Sequence, residues 1–358
     1  MTQTFIIAEA GVNHNGSFLL AQQLIDAAKE SGVDAVKFQT FKAENLVTKS
    51  AHQAEYQIEN IGETSSQYAM LKNLELTFDE FKMLKKYCDD KGIYFLSTPF
   101  DFESVDFLVD DLGMDIVKIP SGELTNLPFL HYIATKQKRM IISTGMATMD
   151  EIHESLAFIA YGLAFPNEPI VYNTVKKYYE KKEAKQLLQR FVTILHCTTE
   201  YPAPMESINL LAMHDIAKET TLEVGFSDHS QGIAVPIAAV AQGAKIIEKH
   251  FTLDKTLAGP DHIASLEPTE LKQMTVAIRQ IEKALGDGVK KPAEVEVKNK
   301  TVARKSLVAL QPILEGETFT TTNLGVKRPG NGINSNQYWN YLNQSAKKSY
   351  GQDELIDE

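Results

Sequence analysis

Ile246-Ile247-Glu248-Lys249-His250 is a pair of buried-strand residues followed at once by three side chains able to do chemistry. The same design recurs upstream. Val224-Gly225-Phe226 runs into Ser227-Asp228-His229, and Val192-Thr193-Ile194-Leu195 ends at His196. Met140-Ile141-Ile142 ends at Ser143-Thr144, and Ile116-Val117 leads to Lys118, Ser121 and Glu123. Ile93-Tyr94-Phe95-Leu96 ends at Ser97-Thr98, Ala35-Val36 at Lys37 and Gln39, and Phe5-Ile6-Ile7-Ala8 at Glu9. Short apolar runs capped by reactive groups are parallel strands whose carboxyl ends share one face. The fold expected is an α/β protein built on a (β/α)8 TIM barrel, with its active site on that face.

Helical signals fall between the runs. Leu20, Leu24, Ala27 and Ala28 carry helical spacing before Gly32. Thr77-Phe78-Asp79-Glu80 and Thr148-Met149-Asp150-Glu151 read as capping boxes. Ile152, Leu156, Ile159 and Leu163 form one apolar stripe, and Leu271, Met274, Ile278, Ile281 and Leu285 another after Pro268. Two connections are long. Residues 42–76 hold Tyr56, Asn60 and Tyr68, and residues 165–190 hold Tyr172, Tyr178, Tyr179 and a Lys/Glu run. Long loops on the carboxyl face often act as lids; an outer charged helix is at least as good a reading for 165–190. Gly, Lys, Glu and Pro at 286–300 mark a linker. The boundaries expected are therefore a barrel at 1–285, a linker at 286–300 and a small β-rich module at 301–358.

Composition narrows the function. The 43% apolar fraction is enough for a full core, and the formal net charge of −11 argues against nucleic acid and anionic membrane as partners. No apolar run reaches the length of a membrane span, and the first strand starts without a signal-like segment. Two cysteines, Cys88 and Cys197, are too few for a disulfide framework. Reduced thiols in the cytoplasm are expected.

The sharpest pair is His229 with His250. They end neighbouring strands, so their imidazoles can converge on one divalent cation, with open positions left for water and a substrate oxygen. A strand-end histidine taken alone is equally a satisfied polar residue. Lys37 and Lys118 point into the mouth, where an unpaired ammonium is costly. One phosphate or carboxylate could recruit both, with hydroxyls of Ser97, Thr98, Ser121, Thr199 and Ser227 as donors. A Schiff-base role and ion pairing with Glu9 or Glu123 stay open. Glu9 and Glu123 suit acid–base work or water orientation. Asp261 suits a sugar hydroxyl or an Asx turn.

These strings, in this order, resemble the sialic acid synthase family. The segments are Glu9-Ala10-Gly11-Val12-Asn13-His14-Asn15-Gly16, Val36-Lys37-Phe38-Gln39-Thr40, Leu96-Ser97-Thr98-Pro99-Phe100 and Lys118-Ile119-Pro120-Ser121-Gly122-Glu123. Ser143-Thr144-Gly145-Met146, Leu195-His196-Cys197-Thr198, Tyr201-Pro202, Gly225-Phe226-Ser227-Asp228-His229 and Glu248-Lys249-His250-Phe251-Thr252 continue the series. Val326-Lys327-Arg328-Pro329-Gly330-Asn331-Gly332 resembles the family's antifreeze-like (SAF) domain.

The resemblance implies a reaction: phosphoenolpyruvate, an open-chain N-acylated mannosamine-type sugar and water give a nine-carbon 2-keto sugar acid and phosphate. It implies a divalent ion, Mn2+ first with Mg2+ or Co2+ as alternatives, on His229 and His250. Phosphate falls to Lys37, Lys118, Ser121, Ser227 and Thr98. Glu9 and Gln39 align the carboxylate and waters, and Glu123 orients the attacking water. Tyr201 and Asp261 touch the sugar. Arg328 reaches in from a partner chain, in a domain-swapped homodimer. Thr199 departs from the family's usual Asn, leaving a hydroxyl where an amide would donate. The expansion at 165–190, with Thr199-Glu200 and Pro260-Asp261-His262, is closer to the branch making legionaminic acid derivatives. The expected product is N-acetylneuraminate or N,N'-diacetyllegionaminate. The rivals are a metal-dependent aldolase on the same barrel and a non-catalytic carbohydrate- or ice-binding module.

Overall fold

A computed structural model describes residues 3–54, 57–58 and 66–357. Tyr56 and Asn60 of the first long connection lie outside the described residues. The chain divides into two compact units, Met1–Gly286 and Asp287–Glu358.

The first unit is a parallel eight-stranded barrel. Its strands are β1 (Phe5–Gly11), β2 (Ala35–Thr40), β3 (Tyr94–Pro99), β4 (Ile116–Ile119), β5 (Arg139–Ser143), β6 (Val192–His196), β7 (Glu223–Asp228) and β8 (Ile246–His250). The hydrogen-bonded order is β3-β2-β1-β8-β7-β6-β5-β4, and β3 and β4 lie side by side where the ladder ends. Strands of an all-parallel barrel are covered on both faces, so their apolar residues have nowhere to meet water. Ile6, Ile7, Val36, Leu96, Leu195 and Ile247 are accordingly fully buried.

Helices follow the strands where the spacing predicts them. Both capping boxes form: Glu80 Oε2 accepts from Thr77 N at 2.7 Å, and Glu151 Oε2 from Thr148 N at 2.7 Å. The stripe of Pro268–Leu285 buries Leu271, Met274 and Ile278.

The two long connections part company. Residues 42–76 carry helices Ala43–Leu46 and Gln67–Leu74 and end up lining the barrel mouth. Residues 165–190 form helices Tyr172–Tyr179 and Lys182–Phe191, and the second runs straight into Val192 at the amino end of β6. Tyr178 packs on Phe165 (4.9 Å between rings) and Tyr161 (6.2 Å), while Ala184 and Leu188 bury the inner face. The outer-helix reading is therefore right for 165–190 and the lid reading wrong, because the segment serves the opposite end of the strand.

The second unit holds an antiparallel pair, β9 (Ser306–Ala309) and β10 (Leu324–Lys327), over a small core of Leu307, Ile313, Phe319 and Ile356. The stretch 286–300, read from composition as a linker, contains most of helix Glu294–Ala303. That helix buries none of its side chains, so its apolar pattern is too weak to show in the sequence.

Candidate active site

Strand register assembles the site. On β1, Glu9 is level with Lys37 of β2 on one side and His250 of β8 on the other. Gln39 is level with Thr98 of β3, and Ser227 with Glu248. Residues at one level of a barrel point into a common layer, and here that layer is ionic. A cavity of about 310 Å³ opens above it. It is lined by Glu9, Lys37, Gln39, Thr98, Lys118, Ser121, Glu123, Thr199, Tyr201, Ser227, His229, His250 and Asp261. Thirteen of the fifteen residues singled out in the sequence thus gather in one place; Ser97 does not line the cavity, because its hydroxyl shares a buried hydrogen bond with Thr40 Oγ1 at 2.7 Å. Arg328 belongs to the second unit, where its Nε donates to the Ala303 carbonyl at 3.1 Å.

Glu248, which ends the β8 apolar run but has no site role in the sequence reading, sits at the centre of the charge pattern. Its Oε1 accepts from Ser227 Oγ at 2.8 Å and lies 3.5 Å from Lys118 Nζ, while its Oε2 is 3.7 Å from Lys37 Nζ. Burial alone would raise this carboxyl. Lys118, Lys37 and the Ser227 hydroxyl outweigh it and hold the group down at about 2. Glu9 lies only 2.6 Å from Lys37 yet is pushed up to about 7. Burial is the largest cause, opposed by Lys37 and reinforced by the charge of Glu248. Burial pulls the Lys37 ammonium down, but Glu248 and Glu9 overcome it and the net direction is up. Lys118 goes down, because burial and its neighbour Lys37 outweigh the help from Glu248. Lys118 also donates to Ser143 Oγ at 2.7 Å, a second residue not singled out as a ligand. Two buried ammonium groups therefore share one firmly ionised carboxylate, and the floor of the cavity favours an anion.

The hydroxyl side of the cavity depends on a glycine. Ser121 Oγ accepts from Gly145 N at 3.0 Å and lies 3.2 Å from Cys197 Sγ. A Cβ at Gly145 would stand 2.2 Å from Thr199 Oγ1 and 2.9 Å from Ser121 Oγ, so any larger residue would displace the donors. Thr199 Oγ1 is buried without a hydrogen-bond partner. Glu123 is held by Asn126 Nδ2 at 2.7 Å.

The histidines face each other with ring centroids 5.5 Å apart, and Tyr201 packs 4.1 Å from His229 and 5.4 Å from His250. His229 Nδ1 donates to the Thr198 carbonyl at 2.6 Å, which leaves Nε2 with its lone pair. His250 Nδ1 is buried without a hydrogen-bond partner, and Asp261 Oδ2 lies 3.7 Å away. Burial lowers His229 to about 4 and takes His250 well below its ordinary value, so both rings stay neutral. Neutral imidazoles, one tautomer fixed from behind and one ring nitrogen without a partner, are a donor pair that fits a divalent cation. Among the described residues no group of three or more His, Cys, Asp and Glu side chains is gathered for a metal.

Behind the pair, on the far side of the strands, Lys249 and Asp228 form an ion pair at 2.7 Å with both side chains fully buried. Lys249 also donates to the Ser230 carbonyl, and Asp228 Oδ1 accepts from Ser230 N at 2.9 Å. This clamp ties the end of β7 to β8, immediately next to His229 and His250.

Comparison with known proteins agrees with the geometry. The NeuB family profile matches residues 24–290. The chain is 49% identical over 358 residues, all of both proteins, to an N,N'-diacetyllegionaminic acid synthase of Campylobacter jejuni. It is 46% identical to the enzyme of the same name from Legionella pneumophila, over 92% of this chain and 86% of that one. Among solved structures, an N-acetylneuraminic acid synthetase from Leptospira borgpetersenii superposes with a TM-score of 0.66 at 32% identity, covering 83% of this chain and 90% of the other.

Proposed function

The chain belongs to the NeuB family, a phosphoenolpyruvate-condensing group of nonulosonic acid synthases, and we propose that its product is N,N'-diacetyllegionaminic acid. The substrates are phosphoenolpyruvate, 2,4-diacetamido-2,4,6-trideoxymannose in its open-chain form, and water. The observation that carries the reading is the pair of buried lysines sharing Glu248 beside two neutral imidazoles. That arrangement asks for a compact anion next to a polarised carbonyl. The full-length alignment, at 49% identity, to a diacetyllegionaminic acid synthase supports the choice of acceptor.

In this reading Lys37, Lys118, Ser121, Ser227 and Thr98 bind the phosphate and carboxylate of phosphoenolpyruvate. Thr199 donates the remaining hydroxyl. Their charge and hydrogen bonds are in place before reaction, which is what makes such groups effective when negative charge moves to the leaving phosphate. Phosphoenolpyruvate C3 bonds to the acceptor's aldehyde carbon, and water adds at C2. Loss of inorganic phosphate then leaves the 2-keto acid. Glu123, steadied by Asn126, orients that water. Glu9, with a pKa of about 7, can hold the proton it releases. Gln39 Nε2 donates to Glu9 Oε1 at 3.4 Å and keeps the carboxyl aimed into the cavity. Tyr201 and Asp261 meet the sugar.

His229 and His250 would hold the divalent cation, Mn2+ or a similar ion, which when bound supplies Lewis-acid polarisation of the acceptor carbonyl. The reading extends to a cytoplasmic homodimer in which residues 301–358, as an antifreeze-like domain following the 1–285 barrel, bring Arg328 of one protomer to the mouth of its partner. Buried, unpaired Cys88 and Cys197 support a reducing compartment. Among the described residues no helix is long and apolar enough to cross a membrane.

Phosphate release, followed with each sugar and each metal in turn, tests the reading. Release should require phosphoenolpyruvate, the diacetamido sugar and a divalent ion together. Condensation of free pyruvate with an aldehyde, with no phosphate produced, would instead make the chain an aldolase.

A further inference from the structure

Asn13-His14-Asn15, in the loop after β1, has no part in the reaction above, yet its side chains reach the segment that carries Asp261. β1 and β8 are neighbours in the barrel, and polar side chains join the loops that follow them. Asn13 is buried and uses both amide hydrogens on the loop after β8: Nδ2 donates to the Phe251 carbonyl at 2.9 Å and to Ser265 Oγ at 3.0 Å. Ser265 Oγ in turn donates to the Asp261 carbonyl at 2.7 Å. Asn15 makes a second link. Its Nδ2 donates to the Ala258 carbonyl at 2.9 Å, which turns its oxygen toward His262 Nε2 at 3.3 Å. Nε2 therefore carries the ring proton, and Nδ1 accepts from Thr252 Oγ1 at 2.7 Å. The packing here is close: a Cβ at Gly259 would stand 2.6 Å from His262 Cδ2 and 3.0 Å from Asn15 Oδ1.

Both links flank Asp261, whose carboxylate is held by little else. Among the described residues no hydrogen bond reaches its oxygens, and His250 Nδ1 stands 3.7 Å from Oδ2. Where the carboxylate stands is thus decided by its backbone, and that backbone is held from β1. His250 is tied to the same frame, because its carbonyl accepts from Leu266 N at 2.8 Å. We infer that Asn13, Asn15 and Ser265 are positioning residues, which act through the backbone of residues 258–266 to hold the Asp261 carboxylate beside His250 at the barrel mouth. Lys37, Lys118 and Ser121 belong to β2, β4 and the turn after β4, so the phosphoenolpyruvate side of the cavity does not depend on this brace. A misplacement of about 1 Å at a reacting centre costs on the order of 100-fold; a brace that is loosened rather than lost should cost about tenfold. The inference rests on the synthase reading above, in which Asp261 meets the acceptor, and adds the residues that place it.

The test is a double-mutant cycle on the full-length protein: wild type, Ser265→Ala, Asp261→Ala and the double variant. Phosphate release gives kcat/KM for 2,4-diacetamido-2,4,6-trideoxymannose at saturating phosphoenolpyruvate and Mn2+, and KM for phosphoenolpyruvate separately. Ser265→Ala should lower kcat/KM for the sugar by about tenfold, while KM for phosphoenolpyruvate stays within about twofold. Asp261→Ala should lower it at least as far. The double variant should lie within about twofold of Asp261→Ala alone, because Ser265 acts only through the carboxylate already removed. If Ser265→Ala melts early, Asn15→Gly takes its place in the cycle. Asn15 has φ of 50°, which glycine adopts freely, so that change removes the amide without straining the loop. Wild-type efficiency in Asp261→Ala or in the brace variant, a parallel rise in KM for phosphoenolpyruvate, or losses that multiply in the double variant would each overturn the brace and leave the synthase reading intact. A wild type that releases no phosphate with this sugar or with N-acetylmannosamine overturns the synthase reading, and the brace with it.

Discussion

The mouth of the barrel and the shell behind it both bury charge, but they treat it differently. In the mouth, Lys37 and Lys118 share Glu248, Glu9 sits near neutrality, and atoms such as Thr199 Oγ1 and His250 Nδ1 lack partners. In the shell, Lys249 and Asp228 are fully buried, yet each charge meets its opposite and the Ser230 backbone bonds to both, leaving only a neutral group, the Ser230 hydroxyl, without a partner there. Incomplete pairing costs stability unless something arrives to complete it. The contrast separates residues kept for a ligand from residues kept for the fold. It predicts that mouth variants lose turnover without losing stability, and that shell variants do the reverse.

The largest effect should come from the mouth. Lys118→Met removes an ammonium whose pKa burial already depresses. Turnover at saturating substrate should fall by about 10²–10³-fold, the range for one preorganised charge-stabilising donor. The melting temperature should hold or rise, since a strained charge gives way to an apolar chain of similar length. A Lys118→Met protein that turns over normally, or that melts well below the wild type, would erase the distinction between the two regions.

Next comes the shell. Lys249→Met leaves Asp228 ionised and alone in the interior, which should cost about 3–5 kcal/mol in chemical denaturation. Adding Asp228→Asn removes the stranded charge and should recover a substantial part of the loss. Because the clamp only backs β7 and β8, turnover of the single variant at saturating Mn2+ should stay close to wild type. Unchanged stability in Lys249→Met would mean that the pair does not tie the strands. Further out, Tyr178→Ala strips one aromatic contact from the outer helices and should cost about 3 kcal/mol, with kcat within twofold. A large loss of kcat there would revive the lid role for 165–190.

The same contrast shows what the sequence could convey. A reactive residue directly after an apolar run was readable, and Lys37, Lys118, His229 and His250 all gather where strand ends meet. Glu248 was readable too. Side chains alternate along a strand, so an inward His250 places Glu248 inward and Lys249 outward; three consecutive polar residues hid that alternation. That Leu46, Val47 and Leu71 line the cavity has no mark in the sequence, because apolar residues look the same there whether they face a core or a cavity. For the same reason 42–76 and 165–190 look alike as sequence, and only the end of the barrel that each one joins tells them apart. Helix Glu294–Ala303 buries no side chain, so no apolar stripe records it in the sequence.

The smallest effect tests the mouth through its pH dependence. Folded Glu9 titrates near 7, against 4.5 for an ordinary glutamate. Between those values the folded chain holds a proton that the unfolded chain has released, so stability falls as pH rises from about 4.5 to about 7 and then levels off. Glu9→Gln lacks this proton. The wild type should therefore melt progressively lower relative to Glu9→Gln across that window, by roughly 2–4 °C for each kcal/mol lost. Glu248 contributes in the opposite sense, but only between about 2 and 4.5, because its folded value lies at about 2. Ionising Glu9 also neutralises Lys37, 2.6 Å away, so the site's affinity for phosphoenolpyruvate should weaken as pH passes 7. In Glu9→Gln, KM for phosphoenolpyruvate should lose that dependence. If both proteins trace parallel curves from pH 5 to 8, Glu9 is ionised throughout and the mouth is as fully paired as the shell.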